Sequence, residues 1–459
     1  MTDAFTSRAD LVVIGAGPKA AAIAAKAHVL NELGHGPVRV GILEQHEAAA
    51  AWTGRNGFTT GAERLGTRPE KDVGFPYQSG RELGVEGREI DAMMFLFSWQ
   101  SYLVGLGEYR HWVDAGAPCP QHREVARYYA WVLSQATNGV NLRLGKVTGV
   151  ALRPNGWVVT SENANGIRET SLAERGVVLT GPGKPRQLSC APDVADRVIT
   201  PAMTLAQLRA SGVSVDSKIC IAGSGESAVT LALLLIDEFG DDIDLAFVTP
   251  SLPQSRAESF LENAVYSNPQ SVDWQSLPES ERLEFIRRSD RGVMSPDAVA
   301  HLSHHRKLRF VVGRAGHVER SPSGRAWVGI VKPNETVHHE FDVVANCTGS
   351  SPLATLTDLL GNDIGGVERR VGLALNDEIA VRSALDENLA LRGLAPKLHL
   401  PAIAGLLHGP GLANLSCLGT LSDRILGAYL RRPVAMAPRG AGEVDSPAYS
   451  LEAQASVRR

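Results

Sequence analysis

The pattern of apolar and polar residues at the start of the chain predicts a strand, a tight turn and a helix. Residues 10–14 (DLVVI) form an apolar run, residues 15–20 (GAGPKA) interrupt it with glycines, and an alanine-rich segment follows. A short apolar run that ends at a glycine turn is typical of a buried strand. The next apolar run, residues 38–43 (VRVGIL), predicts a second strand that ends at Glu44.

The same pattern recurs in the middle of the chain. Residues 218–228 (KICIAGSGESA) are followed by the apolar segment 229–236 and by a further apolar run at residues 244–248 (DLAFV). Alternating strand and helix units of this kind are typical of an α/β fold with a parallel sheet. The two copies therefore predict two domains with Rossmann-like topology.

Three other segments add to the predicted architecture. Residues 95–104 and 125–133 place aromatic side chains at helical spacing, which favours a role in core packing. Residues 52–80 are rich in Gly, Pro, Thr and charged residues without periodicity, and so long an irregular stretch is usually functional. Residues 431–459 combine Pro, Ala, Gly and Ser without periodicity, which predicts a disordered tail.

Length and charge limit the class of protein. A chain of 459 residues exceeds the roughly 250–300 residues that one core supports, so two or more domains are expected. The net charge of −4 gives no electrostatic reason to expect nucleic-acid binding, and no apolar run is as long as a membrane span. The first ten residues also lack the order of a signal peptide. We predict a cytoplasmic protein, and a homo-oligomer is compatible with the sequence.

The five cysteines are far apart and form no Cys-x-x-Cys pair. Their odd number and their spacing argue against a disulfide framework, a zinc ribbon, an iron–sulfur cluster and a dithiol oxidoreductase. We therefore predict no metal site.

The first glycine turn has the residues that bind a dinucleotide. Gly15 permits the tight turn, Gly17 lets the backbone approach a pyrophosphate, and the small Ala20 lets the helix pack closely against the strand. Glu44 is placed to bind the ribose hydroxyls of an adenosine. The predicted FAD site consists of Gly15, Gly17, Pro18, Ala20, Glu44, Trp52, Thr348 and Gly349.

The second glycine turn differs from the first at the end of its second strand. Residues 249–251 (TPS) carry no acid where Glu44 stands in the first copy, and Arg256 follows a few residues later. An acid there would repel a 2′-phosphate and an arginine would attract it, so the second site suits NADPH. The predicted NADPH site consists of Gly223, Gly225, Glu226, Ser227, Ala228 and Arg256.

These assignments predict a flavoprotein with two dinucleotide-binding domains, in which a Rossmann-like NADPH domain is inserted into a Rossmann-like FAD domain. The FAD domain is expected at residues 1–205 and 343–430, and the NADPH domain at residues 206–342. Thr348 and Gly349 resemble the strand-end Thr-Gly at which such flavoproteins re-enter the FAD domain. Because the chain has no cysteine pair to accept electrons, oxygen or a quinone-like acceptor remains for the reduced flavin.

Four segments carry a resemblance to a known family. Residues 64–77 (RLGTRPEKDVGFPY), 98–102 (SWQSY), 259–269 (SFLENAVYSNP) and 414–423 (NLSCLGTLSD) resemble those of flavin-dependent N-hydroxylating monooxygenases. Within that family the chain is similar to the actinobacterial L-lysine N6-hydroxylases of mycobactin and nocobactin siderophore assembly. The resemblance implies that FAD, NADPH and O2 hydroxylate the ε-amine of free L-lysine, with a hydroperoxide at C4a of the flavin as the oxygen donor.

The resemblance also implies roles for four residues. Lys71 matches the lysine that binds the substrate α-carboxylate, and Asn263 the asparagine that binds its α-amino group. Asp290 stands where ornithine-hydroxylating relatives have an asparagine between substrate and nicotinamide ribose. Ser422 matches a serine near the substrate carboxylate and the flavin. The fifth residue of interest, Lys19 in the first turn, has no role in this comparison.

Three alternatives remain open from the sequence. The substrate could be ornithine or another diamine, since one methylene in a pocket is worth only about 1–3 kcal/mol. The chain could instead be a flavoprotein reductase that passes electrons to a partner protein. A nucleotide-binding scaffold without catalysis is the third reading, and the two intact glycine turns argue against it.

Overall fold

The strand and the helix predicted at the start of the chain are both present, one on each side of the first glycine turn. The computed structural model describes residues 5–56, 59–83, 87–200, 208 and 210–430, so the predicted disordered tail lies outside the described residues. The first strand is Ser7–Ile14 and the first helix is Pro18–Glu32. Pro18 suits the first helical turn because its fixed φ is helical and the N–H it lacks would have no helical partner there.

The strands are numbered in chain order. They are β1 Ser7–Ile14, β2 Val40–Glu44, β3 Val140–Leu144, β4 Lys146–Arg153, β5 Gly156–Glu162, β6 Arg168–Leu179, β7 Lys184–Pro185, β8 Val198–Ile199, β9 Lys218–Ala222, β10 Asp244–Thr249, β11 Leu308–Val312, β12 Arg314–Arg320, β13 Ala326–Val331, β14 Thr336–Phe341, β15 Val343–Asn346, β16 Ser350–Ser351 and β17 Lys397–His399.

The α-helices are numbered in the same way. They are α1 Pro18–Glu32, α2 Ser79–Leu83, α3 Gly87–Phe95, α4 Trp99–Leu106, α5 Tyr109–Asp114, α6 His122–Gln135, α7 Glu226–Phe239, α8 Phe260–Ser267, α9 Glu279–Ser289, α10 Pro296–Leu302, α11 Pro352–Leu360, α12 Ile364–Val371, α13 Glu378–Ser383, α14 Gly405–His408 and α15 Leu418–Gly427. None of the helices in the described part of the chain is long and apolar enough to cross a bilayer.

A seven-stranded sheet organises the first domain. Its strand order is β3-β2-β1-β6-β5-β4, and β17 pairs with β6. The strands around the first glycine turn are parallel, whereas β4, β5 and β6 form an antiparallel meander. Because β17 comes from near the C-terminus and pairs in parallel with β6, the chain returns to this sheet after the second domain.

A five-stranded parallel sheet organises the second domain, with the order β11-β10-β9-β15-β8. The outer strands of this sheet correct the predicted domain boundaries. β8 and β15 lie outside the expected range 206–342, yet β15 pairs with both β8 and β9. The two short segments cannot be assigned from their own sequences, because their place depends on a partner strand far along the chain. The antiparallel strands β12, β13 and β14 form a separate sheet.

An ion pair inside the first domain joins three of its helices. Lys26 Nζ on α1 donates to Asp423 Oδ1 on α15 at 2.5 Å and to the Ser79 hydroxyl on α2. The Lys26 side chain is 0% exposed and that of Asp423 is 2% exposed. Two charges lose their hydration when buried, and their attraction offsets that cost only while both are present. The pair therefore fixes the position of α15 on the helix that follows the first glycine turn.

We expect the Lys26→Met variant to lose about 3–5 kcal/mol of unfolding free energy, because Asp423 is then buried without its counter-charge. The Lys26→Met/Asp423→Leu double variant should recover most of the loss, since neither charge remains. Urea denaturation followed by intrinsic fluorescence measures both variants. If the unfolding free energy of Lys26→Met lay within about 1 kcal/mol of that of the parent protein, the stabilising role of the ion pair would be contradicted.

Candidate active site

The first glycine turn leaves an open space at the N-terminus of α1. Gly17 is the N-cap of the helix, and no side chain caps the first turn. A Cβ added to Gly17 would meet no protein atom within 4 Å. Gly15 has a φ of +96°, and an added Cβ would lie 2.8 Å from Thr180 Oγ1, so this position requires glycine. An uncapped helix N-terminus beside open space fits the pyrophosphate of a dinucleotide.

Glu44 ends β2 beside this turn. Its Oε2 accepts a hydrogen bond from the Ala16 N–H at 2.8 Å, and its Oε1 accepts one from the His46 N–H at 3.0 Å. Ala20 is fully buried, which lets α1 pack closely on the sheet. Pro18 is the first residue of α1. These positions suit the predicted FAD site, and the contacts with the ligand itself stay a prediction.

The second glycine turn has the same construction. Gly223 has a φ of +126°, and an added Cβ would overlap the carbonyl oxygen of Cys347. Gly225 is the N-cap of α7 without a side-chain cap, and the first helical turn contains one acid, Glu226. Ala228 is fully buried against the sheet. Ser227 lies on the exposed side of the same turn.

Thr348 and Gly349 lie where the chain leaves the second sheet. They follow β15, which pairs with β9 in the second sheet, so the chain just before them lies against Gly223. The residue that lies beside Gly15 in the first turn is Thr180 at the end of β6. Both strands end in Thr-Gly, and a sequence does not say which sheet each strand joins. The residue before Thr348 thus borders the predicted NADPH turn, whereas Ser350 and Ser351 after Gly349 pair with Lys184 and Pro185, and the predicted contact of Thr348 and Gly349 with FAD stays a prediction.

Trp52 lies in a segment that contacts the first turn. The Ala49 N–H donates to the Ala16 carbonyl oxygen at 3.0 Å, which holds this segment beside the turn. The Trp52 ring stacks on His122 of α6, with ring centroids 5.7 Å apart. Trp52 is thus packed on a helix of the first domain, and its predicted contact with FAD stays a prediction.

The aromatic residues of α4 and α6 pack on one another, as predicted from their helical spacing. The rings of Trp99 and Tyr128 are 5.6 Å apart and nearly perpendicular, and those of Tyr102 and Trp131 are 5.3 Å apart. Trp99 and Tyr128 are almost fully buried. These rings therefore build the core behind the irregular segment.

A buried carboxylate anchors the irregular segment 64–77. Asp72 is 2% exposed and accepts hydrogen bonds from the Tyr77 hydroxyl at 2.7 Å, the Gly74 N–H at 3.0 Å and the Trp99 N–H at 3.1 Å. Burial raises the pKa of Asp72 to about 6, and the hydrogen bonds limit the rise. The segment therefore has a defined shape although it contains no helix or strand.

The lysine and the asparagine predicted to bind the substrate meet between the two domains. Lys71 Nζ donates to Asn263 Oδ1 at 2.7 Å. The Asn263 amide donates from Nδ2 to the carbonyl oxygens of Glu258 at 2.7 Å and Ser259 at 3.2 Å, which turns its oxygen towards Lys71. The neighbouring Glu262 forms the capping box of α8. Burial lowers the pKa of Lys71.

Asp290 follows α9 and contacts the C-terminal part of the first domain. Its Oδ1 accepts a hydrogen bond from Asn414 Nδ2 at 3.3 Å, and its Oδ2 lies 3.2 Å from Arg291 Nε. Asp290 also lines a cavity of about 520 Å³ between α9 and residues 402–413. Its predicted contact with a substrate stays a prediction.

The predicted role of Ser422 stays a prediction. Ser422 is fully buried in the middle of α15, and its hydroxyl donates to the carbonyl oxygen of Gly419 at 2.8 Å. Because the helix begins at Leu418, this residue is turned into the core and its hydroxyl is satisfied within the helix. In this position the Ser422 hydroxyl bonds to the helix backbone, and a contact with the substrate would have to replace that bond.

Lys19 is a residue of this region to which the sequence assigned no role. Burial lowers the pKa of Lys19 to about 8; Arg291 lowers it further, whereas Asp290 and Cys417 raise it. Cys417 also raises the pKa of Lys71. No motif marks this arrangement, because its members come from separate segments of the chain.

Arg256 is surrounded by groups of the protein itself. Its Nη1 donates to Glu226 Oε1 at 3.3 Å, its Nε donates to Glu258 Oε2 at 3.0 Å, and its Nη2 donates to the Gly66 carbonyl oxygen. The side chain is 20% exposed. A 2′-phosphate at this arginine, as the sequence predicts, would have to displace these partners.

Comparisons with known proteins agree on one family. The family model described as L-lysine 6-monooxygenase/L-ornithine 5-monooxygenase matches residues 95–308. The L-lysine N6-monooxygenase MbtG of Mycobacterium sp. (strain MCS) is 36% identical over 445 residues, which cover 94% of this chain and 97% of that protein. MbtG of Mycobacterium tuberculosis (strain H37Rv) is 33% identical over 92% of this chain and 95% of its own. The chain belongs to the lysine and ornithine monooxygenase family.

Solved structures agree with this family and its fold. The lysine monooxygenase NbtG from Nocardia farcinica has a TM-score of 0.76 at 34% identity, covering 90% of this chain and 98% of its own. The ornithine N-hydroxylase KtzI from Kutzneria sp. 744 has a TM-score of 0.67 at 17% identity, over 92% and 99%, and shows the fold alone. The predicted family and the fold class, a flavoprotein with two dinucleotide-binding domains, are confirmed.

The two glycine turns should respond differently to the same substitution. We expect Gly15→Ala to abolish the flavin absorbance of the purified protein, because the added Cβ would lie 2.8 Å from Thr180 Oγ1 and displace the first turn. Gly223→Ala should keep the flavin and lose NADP+ binding, measured by calorimetric titration. Gly34→Ala is the control, since its φ is also positive but no atom lies within 4 Å of the added Cβ. Loss of flavin from Gly223→Ala but not from Gly15→Ala would contradict the assignment of FAD to the first turn and NADPH to the second.

Proposed function

We propose that this chain hydroxylates the ε-amine of free L-lysine with O2, using FAD and NADPH, to supply a hydroxylamine for a hydroxamate siderophore. The relatives that cover more than nine-tenths of the chain at 33–36% identity are named L-lysine N6-monooxygenases. The solved structure at 34% identity is likewise that of a lysine monooxygenase. Lysine is therefore the favoured substrate.

The observation that carries the proposal is the contact between Lys71 and Asn263. The ammonium of Lys71 suits a carboxylate, and the amide oxygen of Asn263 suits an ammonium group. A carboxylate and an ammonium are the two charged groups at the α-carbon of a free amino acid. Lys71 Nζ and Asn263 Oδ1, which would bind them, lie 2.7 Å apart. A substrate bound there would insert its α-carbon between the two side chains.

The two glycine turns fit the cofactors. The uncapped N-terminus of α1, with Glu44 beside it, would hold FAD, and the uncapped N-terminus of α7 would hold NADPH. When bound, these cofactors supply the electrons that activate O2, and one oxygen atom of that O2 is the one transferred to the amine. The role of the protein is to hold the substrate by the groups on its α-carbon and to exclude water from the reacting end.

The ε-amine must be neutral in order to act as a nucleophile, although a free lysine amine has a pKa near 10.4. Lys19 carries the same functional group in the same region, and burial lowers its pKa to about 8. Burial of the substrate amine would lower its pKa in the same direction. Burial alone therefore favours the neutral amine.

An amine-dependent assay tests the proposal. Purified protein with FAD, NADPH and O2 should form hydroxylamine with L-lysine, and much less with L-ornithine or with no amine. Hydrogen peroxide is measured in parallel, because uncoupled NADPH oxidation also consumes O2. Equal product from ornithine, or rapid NADPH oxidation with no hydroxylated product, would contradict the proposal.

Removal of the Lys71 ammonium should weaken lysine binding. We expect Lys71→Ala to raise the KM for L-lysine by at least about tenfold, the factor for one lost charge-assisted hydrogen bond, with the flavin content unchanged. Arg68→Ala is the matched control, since Arg68 belongs to the same segment but pairs with the partly exposed Glu70. An unchanged KM in Lys71→Ala would reject the carboxylate-binding role.

The pH dependence of lysine binding should follow the charge of Lys71. Burial lowers its pKa, so the ammonium is present at low pH and is lost as the pH rises through the lowered value. The KM for L-lysine should therefore rise at alkaline pH. The Lys71→Arg variant stays charged and should show a flatter profile, because a guanidinium does not titrate in this range. Identical profiles for the two proteins would contradict this explanation.

A further inference from the structure

Arg256 connects three parts of the protein that the proposed reaction has to bring together. Its guanidinium binds Glu226 in the first turn of α7, Glu258 just before α8, and the Gly66 carbonyl oxygen of the first domain. Arginine presents several N–H donors in one plane, which suits three partners on different sides. At 20% exposure, the side chain lies largely inside the interface between the domains.

These contacts speak against a 2′-phosphate at Arg256. Two carboxylates already compensate the charge of the guanidinium, at 3.3 Å and 3.0 Å. A phosphate dianion at the same place would lie beside both carboxylates and would be repelled by them. The charge of Arg256 is therefore committed to the protein.

We propose that Arg256 is a positioning residue, which holds the lysine-binding segment against the second domain and screens Glu226 from the nucleotide. The proposal rests on the proposed function. Gly66 belongs to the same anchored segment as Lys71, and the backbone carbonyl of Glu258 accepts a hydrogen bond from Asn263. Arg256 thus contacts the segment that carries Lys71 and the residue whose carbonyl oxygen orients Asn263. These are the two residues that would bind the carboxylate and the amino group of lysine.

The contact with Glu226 links the same arginine to the nucleotide. Glu226 is the only acid in the first turn of α7, where the dinucleotide pyrophosphate would lie. An unpaired carboxylate at a helix N-terminus would repel that pyrophosphate, and Arg256 offsets its charge. Because NADPH and NADH have the same pyrophosphate, loss of Arg256 should weaken both equally.

Two variants separate the functions of this arginine. Arg256→Ala removes all three contacts, so the KM for L-lysine should rise about tenfold, as for loss of one charge-assisted hydrogen bond, and the Kd values of NADP+ and NAD+ should rise by one common factor. In Arg256→Ala/Glu226→Gln the nucleotide Kd values should return towards the parent values while the KM for lysine stays high. Arg309→Ala is the control, since Arg309 pairs with Asp244 within the second domain.

Cleavage by trypsin does not depend on catalysis, so it tests the positioning role of Arg256 separately from the proposed lysine hydroxylation. Trypsin should cleave the FAD-loaded Arg256→Ala protein faster at Arg64 and Lys71 than it cleaves the parent or the Arg309→Ala protein, because the segment loses its contact with the second domain. Absence of lysine hydroxylation in the parent protein would refute the proposed function alone. A selective loss of NADP+ over NAD+ affinity, an unchanged KM for lysine, or unchanged cleavage in Arg256→Ala would overturn the positioning role.

Discussion

The contact between the irregular segment 64–77 and the segment around α8 is the constraint on which the site depends. Lys71 on one domain and Asn263 on the other are 2.7 Å apart, and neither domain alone contains both. The first segment has no regular secondary structure, so its position depends on the buried Asp72 carboxylate and on Arg256. A lysine site of this kind exists only while the two domains are in contact.

Other elements of the first domain hold segment 64–77 in place. α15 contacts the anchored segment directly, since the Gly419 N–H donates to the Phe75 carbonyl oxygen at 2.8 Å. The ion pair of Lys26 and Asp423 fixes α15 on α1, which begins at the first glycine turn. The segment that would hold lysine and the turn that would hold FAD are therefore connected through buried contacts.

Local physical chemistry explains which features the sequence predicts. Gly15 and Gly223 were identifiable because a positive φ at a strand end leaves a recognisable residue type, whatever the surrounding fold. The outer strands β8 and β15 were not, since their pairing is decided by distant partners. The surroundings of Ser422 and Arg256 were not predictable for a similar reason. The burial of Ser422 depends on where α15 begins. Arg256 contacts Glu226, which is distant in the sequence, and Glu258, which no motif marks.

The most direct test of the central claim is a crystal structure of the protein with FAD, NADP+ and L-lysine bound. We expect the lysine α-carboxylate within about 2.7–3.2 Å of Lys71 Nζ and the α-amino nitrogen at the same distance from Asn263 Oδ1. The direct bond between the two side chains should then be replaced. Lysine bound elsewhere, such as in the cavity beside Asp290, with the Lys71–Asn263 bond intact, would contradict the claim.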